Sequence, residues 1–209
     1  MSAPLQKSIL FILLSLLLGT REASAGDPAK STINIGDPAP SFKLKDLDGK
    51  GQDLNAFKGK IVVLEWTNPN CPFVIRHYEK GWMQALQKKY SEKGIVWLTI
   101  NSTNPDHRDF LEAEVLKEKY AAWKAAFTTQ LMDTDGTVGR LYEAKTTPHI
   151  FILDTELKLA YQGAVDDDPR GNKETKIVYA ADALEALLAG SPIQLTTSRP
   201  YGCSIKYAN

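Results

Sequence analysis

The sequence predicts an α/β fold with a central mixed sheet, helices on both faces and an N-terminal hairpin. Two dense apolar runs of strand length, KIVVLEW (60–66) and IVWLTINS (95–102), alternate with charged segments of helical periodicity. Such alternation is typical of a parallel sheet that is covered by helices. The run TPHIFILDTELKLAYQGAV (147–165) reads as strand, turn and strand, so it predicts a closing antiparallel hairpin.

Composition and charge exclude several classes of protein. The 209 residues predict one main domain, and 43% hydrophobic with 24% charged residues is ordinary for a soluble globular chain. Lys and Arg number 25, as do Asp and Glu, so no global charge points to nucleic acid or to an anionic membrane.

The first 25 residues have the pattern of a secretory signal peptide. Lys7 precedes the apolar run ILFILLSLLL (9–18), and the small residues ASA (23–25) suit a cleavage site. The alternative is a membrane anchor, but the run is short for spanning a bilayer. We therefore expect cleavage near Ala25.

Cleavage would export the mature chain, either to a periplasm or out of the cell. Residues 26–209 are then expected to form a single domain, with 191–209 as a C-terminal tail and no membrane segment. In an oxidising compartment thiols tend to pair. The two cysteines of the chain, Cys71 and Cys203, allow one intramolecular pairing.

Local sequence pattern predicts the other strands and helices of the first half of the chain. The segment 39–60 alternates apolar and polar residues around the turn signal DGKG, which predicts a short hairpin and then a turn or short helix. Apolar residues at helical spacing predict one long helix from Pro72 to about Tyr90, with proline suited to its first turn. Gly94 suits its end.

The second half repeats the alternation of strands and helices, while the tail 191–209 has no strong pattern. The predicted elements are a surface helix (107–127), a strand, turn and short helix (130–145), and a final helix (173–190) that Gly190 and Pro192 stop.

Cys71 lies directly after a buried strand and at the start of a predicted helix. The unpaired N–H groups and partial positive charge of a helix N-terminus favour a thiolate, which is the nucleophilic form of cysteine. The alternative is an inert core cysteine. The sequence NPNCP (68–72) indicates a turn rather than a core strand, which favours the reactive cysteine.

These residues resemble the thioredoxin-like superfamily. The matching features are the strand IVVLEW (61–66), CPFV (71–74) opening a helix, and KTTPHIFILD (145–154) before the hairpin. More specifically, the chain is similar to the redoxin branch (AhpC/TSA, peroxiredoxin-like). The leader GDPAPSFKLKDLDGK (36–50), the motif NPNCPFV and the tail element GCSIKY (202–207) carry that similarity. The resemblance spans about residues 35–190 and implies a thioredoxin-like fold.

The resemblance also implies roles for single residues. Thr147-Pro148 looks like the cis-proline loop that lies beside the active cysteine, so Pro72, Thr147 and Pro148 are predicted to bind substrate. In particular, the backbone of Thr147 would offer N–H and C=O groups to an extended substrate segment. Thioredoxins carry a buried acid at the position of Glu65, which makes Glu65 a candidate general acid and base.

Glu65 stands inside an apolar strand, so burial is expected to raise the pKa of its carboxyl. The alternative is an open strand end that leaves Glu65 solvated or salt-bridged. His77 and His149 are possible helpers of a reactive thiol, although isolated histidines are more often structural or exposed.

Two departures from the family patterns affect the predicted chemistry. Val74 stands where a thioredoxin has its second cysteine, so the dithiol within the helix is absent. Asn68 stands where a typical peroxiredoxin has a threonine, and this weakens the prediction of peroxidase activity.

Cys203 is the remaining thiol, and three roles are open to it. As a resolving cysteine it would attack a mixed disulfide on Cys71, for which the two Cα atoms must approach within about 7 Å. As a permanent staple it would stabilise the fold by about 5 kcal/mol on the chain-entropy model. It could also be unpaired.

The sequence therefore predicts an exported thiol-disulfide oxidoreductase with Cys71 as nucleophile and Cys203 as resolving or disulfide partner. Its expected partner is a protein or small-molecule thiol or disulfide, and no cofactor and no metal is expected. The alternatives are a thiol peroxidase, a metal-carrying binding module that uses Cys71, Cys203 and His149, and a non-catalytic domain with a structural disulfide.

Overall fold

The computed structural model of the chain describes residues 33–208 together with Met1. Apart from Met1, the predicted signal peptide lies outside the described residues, so its cleavage stays a prediction. Residues 33–208 belong to one compact unit. None of the helices within them is long and apolar enough to cross a membrane.

Nine strands form two sheets within residues 33–208. They are β1 Lys43–Asp46, β2 Gly51–Asp53, β3 Val62–Trp66, β4 Val96–Asn101, β5 Thr129–Met132, β6 Thr146–Thr147, β7 His149–Leu153, β8 Leu159–Gly163 and β9 Cys203–Ser204. The main sheet has the order β2-β1-β5-β4-β3-β7-β8, and β6 pairs with β9 in a separate two-stranded sheet. The predicted N-terminal hairpin is β1–β2, followed by a 3-10 helix, Leu54–Phe57.

The main sheet is mixed, as predicted. Strands β3, β4 and β5 run parallel, while β7 runs antiparallel to both β3 and β8. All five residues of β3 are buried. The dense apolar run KIVVLEW therefore forms a strand covered on both faces, which is what such a run predicts.

Five α-helices cover the sheet in the described part of the chain. They are α1 Pro72–Glu79, α2 Trp82–Ser91, α3 Ala113–Ala122, α4 Thr137–Leu141 and α5 Tyr179–Leu188. The prediction of one long helix from Pro72 to Tyr90 was wrong. The helix is interrupted at Gly81, whose φ of 71° is left-handed. Glycine adopts this conformation at no steric cost. The surface helix is also shorter than predicted, because residues 107–112 precede α3 as a loop.

Alternate residues of β3 enter two separate apolar layers, because successive strand side chains point to opposite faces. Leu64 and Trp66 pack in one layer with Phe151. Val63 packs in the other layer, which also contains Cys71. Glu65 shares the face of Val63, so the sheet directs the candidate acid and the candidate nucleophile into the same half of the protein.

The tail forms specific contacts although its sequence has no strong pattern. Cys203 and Ser204 make up β9 and pair with Thr147 and Thr146 of β6. Further along, the Tyr207 side chain lies against Gly139, where an added Cβ would be 2.4 Å from its hydroxyl oxygen. The tail therefore belongs to the folded domain and reaches the loop that precedes β7.

Leu64 tests the importance of the central strand. It is fully buried in β3, so Leu64→Ala removes apolar contacts and leaves a cavity. We expect a loss of about 2–5 kcal/mol in the free energy of unfolding, measured by urea denaturation. Leu188→Ala is the control, because Leu188 is 41% exposed at the end of α5 and its truncation should cost far less. Equal losses for the two variants would contradict this description of the core.

Candidate active site

Cys71 lies where the sequence predicts it, at the junction of β3 and α1. It is the N-cap of α1 with an extended backbone (φ −81°, ψ 123°), and Pro72 occupies the first helical position. The Cys71 carbonyl accepts the N–H of Ile75 at 2.9 Å. Its side chain is 3% exposed and borders a cavity. The helix N-terminus consequently favours negative charge at this sulfur.

The turn before Cys71 is held by Asn68. The side-chain amide of Asn68 donates to the Thr103 hydroxyl at 2.7 Å, and its Oδ1 accepts the backbone N–H of Asn70 at 2.7 Å. Asn68 is itself buried. In the sequence Asn68 stood out only as a departure from the peroxiredoxin pattern, whereas in the structure it fixes the loop that presents Cys71.

The Thr147-Pro148 peptide bond is cis, as the resemblance implied. The Cys71 thiol donates a hydrogen bond to the Thr147 carbonyl oxygen, with 2.9 Å between Sγ and O. This contact joins the helix N-terminus to the proline loop. Pro72 and Thr147 both border the same cavity as Cys71, so two of the three residues predicted to bind substrate lie at the candidate nucleophile.

The tail brings Cys203 to this point. In the β6–β9 pair Cys203 is opposite Thr147, whose carbonyl contacts Cys71. Gly202 is required for the approach, because a Cβ there would be 2.1 Å from the Thr147 carbonyl oxygen and the φ of Gly202 is +145°. The backbone of Thr147, which was predicted to pair with a substrate segment, pairs here with the tail of the chain itself.

The two thiols interact, and both are free in this structure. Burial is the main cause that raises the pKa of Cys203 to about 12, and a hydrogen bond to Cys71 and the negative charge of a Cys71 thiolate add to it. The positive charge of Lys206 acts in the opposite direction. Cys203 therefore keeps its proton near neutral pH and can donate to Cys71.

Tyr201 anchors the tail on one side of Cys203. Its hydroxyl donates its proton to the carboxylate of Asp166. Because that proton is used, the Tyr201 oxygen is the acceptor in its contact with His77, and the Nε2–H of His77 donates to it at 3.0 Å. Burial lowers the pKa of His77 to about 4, which keeps the ring neutral near pH 7. Asp166 in turn pairs with Lys176 at 2.6 Å. His77 thus fixes the tail, and its Nε2 contacts Tyr201 rather than a thiol.

Tyr207 anchors the tail on the other side. Its hydroxyl donates to the carbonyl of Ala144 at 2.9 Å, and the guanidinium of Arg140 lies 4.6 Å from the ring centroid. Between the anchors, the backbone N–H of Asn104 donates to the carbonyl of Lys206 at 2.8 Å. Cys203 is therefore held from both directions along the chain.

Glu65 is buried, which confirms the predicted environment of its carboxyl. Its Oε2 accepts hydrogen bonds from the indole of Trp97 at 2.7 Å and from the amide of Gln87 at 3.2 Å. Its Oε1 is buried without a hydrogen-bond partner. Burial raises the pKa of Glu65 to about 7, although the bonds from Trp97 and Gln87 oppose the shift.

Tyr120 is a buried polar group near the candidate site, and sequence reasoning missed it. Its hydroxyl is 3.1 Å from the Thr67 hydroxyl. The pKa of Tyr120 is raised, chiefly by burial and further by negative charge on Glu65 and on Cys71, so its hydroxyl lies in the field of both groups. Helical spacing marked the tyrosines near Cys71 only as core residues, and no signal in the sequence separated Tyr120 from them.

His149 belongs to the opposite layer of the protein. Its ring packs on Phe151 with 4.4 Å between centroids, and its Nδ1 accepts the backbone N–H of Lys145 at 3.2 Å. The metal-carrying alternative needed His149 beside Cys71 and Cys203, and the sheet separates them. Among the described residues, no group of three or more His, Cys, Asp or Glu side chains is arranged to hold a metal ion.

The cavity above Cys71 has a volume of about 340 Å³. Both cysteines border it, together with polar and charged side chains that include Asn70, Arg108 and Lys206. The site therefore combines a candidate nucleophile at a helix N-terminus, a second thiol that borders the same cavity and an opening that a polar compound can enter.

The AhpC/TSA family model matches residues 35–162, which is more than half of the chain. The chain belongs to the AhpC/TSA family. One relative is the thiol-disulfide oxidoreductase ResA of Bacillus cereus. It is 26% identical over 151 residues, which make up 72% of this chain and 82% of that protein.

Solved structures resemble the chain over most of its length. An uncharacterised conserved protein from Geobacillus kaustophilus has a TM-score of 0.76 and 29% identity, over 85% of this chain and 94% of that one. A protein named thiol:disulfide interchange protein DsbE from Chlorobium tepidum has a TM-score of 0.52 and 27% identity, over 63% and 85% of the two chains. These likenesses confirm the thioredoxin-like fold and the class of oxidoreductase enzyme. The roles of Cys71, Cys203 and Glu65 stay predictions.

The buried carboxyl of Glu65 predicts a distinctive pH dependence of stability. Between about pH 4.5, the ordinary pKa, and about pH 7, the native carboxyl keeps its proton while the unfolded chain loses it. The contribution of Glu65 to stability therefore falls as the pH rises through this window, by an amount on the order of 3 kcal/mol. The rings of His77 and His149 contribute in the opposite direction, because burial lowers their pKa values and keeps them neutral in the native chain. Glu65→Gln removes only the contribution of Glu65, so this variant should gain stability relative to the wild type as the pH rises, as measured by urea unfolding between pH 4.5 and pH 8.

The matched control is Glu118→Gln, because Glu118 is exposed on α3. We expect this control to keep the pH dependence of the wild-type chain. A Glu65→Gln protein with the same pH dependence of stability as the wild type would show that Glu65 does not hold its proton in the native state.

Proposed function

We propose that this AhpC/TSA-family oxidoreductase is an exported thiol-disulfide oxidoreductase in which Cys71 is the nucleophile and Cys203 resolves the mixed disulfide. The single observation that carries the proposal is the pairing of Cys203 with Thr147, whose carbonyl also accepts the hydrogen bond of Cys71. The printed names of the relatives, ResA and DsbE, support chemistry on thiols and disulfides. Export rests on the signal-peptide pattern of residues 1–25.

In the first step the Cys71 thiolate attacks one sulfur of a substrate disulfide. A bond forms between that sulfur and Cys71, the substrate S–S bond breaks, and the other sulfur leaves as a thiolate that takes up a proton. The N-terminus of α1 favours the negative charge from which this attack starts.

In the second step Cys203 attacks the Cys71 sulfur of the mixed disulfide. Once Cys71 is bonded to substrate it carries no charge, so its contribution to the raised pKa of Cys203 disappears. Lys206 still favours the Cys203 thiolate. The second substrate sulfur leaves as a thiol, and Cys71 and Cys203 form a disulfide. Two electrons pass from the protein to the substrate, and a dithiol donor returns them.

Glu65 supports these steps as a proton donor and acceptor. Its pKa of about 7 lies near physiological pH, where a general acid or base is most effective. Negative charge on Glu65 or on Cys71 raises the pKa of Tyr120, so the Tyr120 hydroxyl responds to both groups. Glu65 therefore has a proton to exchange as the charge on the thiols changes.

A small aromatic disulfide, 5,5′-dithiobis(2-nitrobenzoate), tests whether Cys71 is the attacking thiol and Cys203 the resolving thiol. The reduced wild-type chain should release two thiolates per protein, because attack by Cys71 and resolution by Cys203 each release one. Cys203→Ser should release one and retain a mixed disulfide on Cys71, identified by mass spectrometry of peptides. Absorbance follows the stoichiometry and the rate.

Cys71→Ser serves as the matched control in the same assay. It should lose the fast phase by about a hundredfold or more, because the remaining thiol of Cys203 has a raised pKa and little thiolate. Fast release by Cys71→Ser would contradict the proposed roles, and so would a wild-type product that carries two mixed disulfides with the probe instead of a Cys71–Cys203 disulfide. Hydrogen peroxide as the oxidant separates the peroxidase alternative: faster oxidation by peroxide than by every disulfide would favour it.

A further inference from the structure

The backbone edge beside Cys71 is occupied by the chain itself. Thr146 and Thr147 pair with Ser204 and Cys203, and the N–H of Ile205 donates to the carbonyl of Lys145 at 3.2 Å. An extended polypeptide that adds to a strand needs unpaired backbone groups along that edge. With β9 in place, β6 has no such edge to offer on the side of Cys203.

The contact at Gly202 leaves no room for another chain. A methyl group at this position would already be 2.1 Å from the Thr147 carbonyl oxygen and 2.6 Å from its carbon. The hydrogen bonds of Tyr201 and Tyr207 hold the tail on either side of this contact. Displacement of the tail therefore breaks several hydrogen bonds.

The opening that remains is suited to a small compound. The cavity of about 340 Å³ falls at the lower end of the range for small-molecule sites, roughly 300–1,000 Å³. Two cations, Arg108 and Lys206, border it with one carboxylate, Asp109. Asp109 already lies 3.8 Å from the guanidinium of Arg108. Within residues 33–208, the Lys206 ammonium forms no ion pair and donates only to Ser204, at 3.2 Å.

We propose that the disulfide which Cys71 attacks belongs to a low-molecular-mass compound with carboxylate groups, and that the docked tail (residues 201–207) excludes extended polypeptides. This inference rests on the proposed thiol-disulfide exchange at Cys71. The Lys206 ammonium binds a carboxylate of the compound, and the compound reaches Cys71 through the cavity while β9 stays paired with β6.

The whole reaction can take place while the tail stays docked. Cys71 bonds to one sulfur of the small disulfide and releases one small thiol. Cys203, already beside Cys71, then displaces the second small thiol and completes the protein disulfide. One small disulfide is reduced to two thiols, and the two cysteines are oxidised. A dithiol donor reduces the protein disulfide for the next cycle.

The test measures how fast three disulfides react with the Cys203→Ser variant of the full-length mature chain. In this variant the reaction stops at the mixed disulfide on Cys71. The probes are oxidised glutathione, which carries carboxylates, cystamine, which is a small dication, and ribonuclease with scrambled disulfides as an extended polypeptide. Each rate is divided by the rate of 2-mercaptoethanol, an uncharged thiol, with the same probe, which removes the intrinsic reactivity of the disulfide. Mass spectrometry follows the mixed disulfide.

The expected order is glutathione first, then cystamine, then the polypeptide, with the polypeptide at least about tenfold slower than glutathione. A polypeptide rate equal to or above the glutathione rate would overturn the exclusion, while the proposed function would stand. A cystamine rate above the glutathione rate would overturn the carboxylate preference. If no probe forms a mixed disulfide on Cys71, the proposed function fails, and this inference fails with it.

A second variant tests whether the tail causes the exclusion. Gly202→Ala in the Cys203→Ser chain undocks the tail, so the polypeptide rate should rise by about tenfold while the glutathione rate changes less. Gly190→Ala is the matched control, because Gly190 also has a positive φ (+64°) but nothing lies within 4 Å of an added Cβ. An unchanged polypeptide rate in folded Gly202→Ala would overturn the role of the tail. If circular dichroism shows that Gly202→Ala is unfolded, Tyr201→Phe replaces it, with the same expected rise.

Discussion

The pairing of Cys203 with Thr147 is the contact on which the candidate active site depends. It brings together the only two cysteines of the chain, which lie far apart in sequence, at the carbonyl that Cys71 contacts. Glycine at position 202 permits the contact, since any side chain there would collide with that carbonyl. A helix that lacks the second cysteine of a thioredoxin thereby has a partner thiol from the tail.

A pair of two-residue strands is too short to be stable by itself. The stability of the β6–β9 pair must therefore come from the tyrosines on either side of it. Tyr201 reaches buried His77 and Asp166, and Asp166 pairs with Lys176. Tyr207 packs against Gly139 and donates to Ala144. The same anchors that hold Cys203 opposite Thr147 also keep β9 on the edge of β6.

Local sequence pattern was sufficient for part of the site and not for the rest. Cys71 at a helix start, the cis bond before Pro148 and the burial of Glu65 follow from neighbouring residues or from family motifs, and the structure has all three. The break at Gly81 was missed because helical spacing of apolar residues continues across it. The tail could not be predicted, since its residues pack against distant partners and local periodicity carries no signal of such contacts.

The reduction potential of the Cys71–Cys203 couple tests the account most directly. The wild-type chain is equilibrated in buffers of defined thiol-disulfide ratio, and the fraction of linked cysteines is measured by alkylation and peptide mass spectrometry. The N-terminus of α1 favours a thiolate at Cys71 and so stabilises the reduced form, and the account therefore predicts a Cys71–Cys203 disulfide with a potential above about −300 mV. A potential well below about −300 mV, typical of structural disulfides, or the absence of this disulfide at every ratio, would contradict the account.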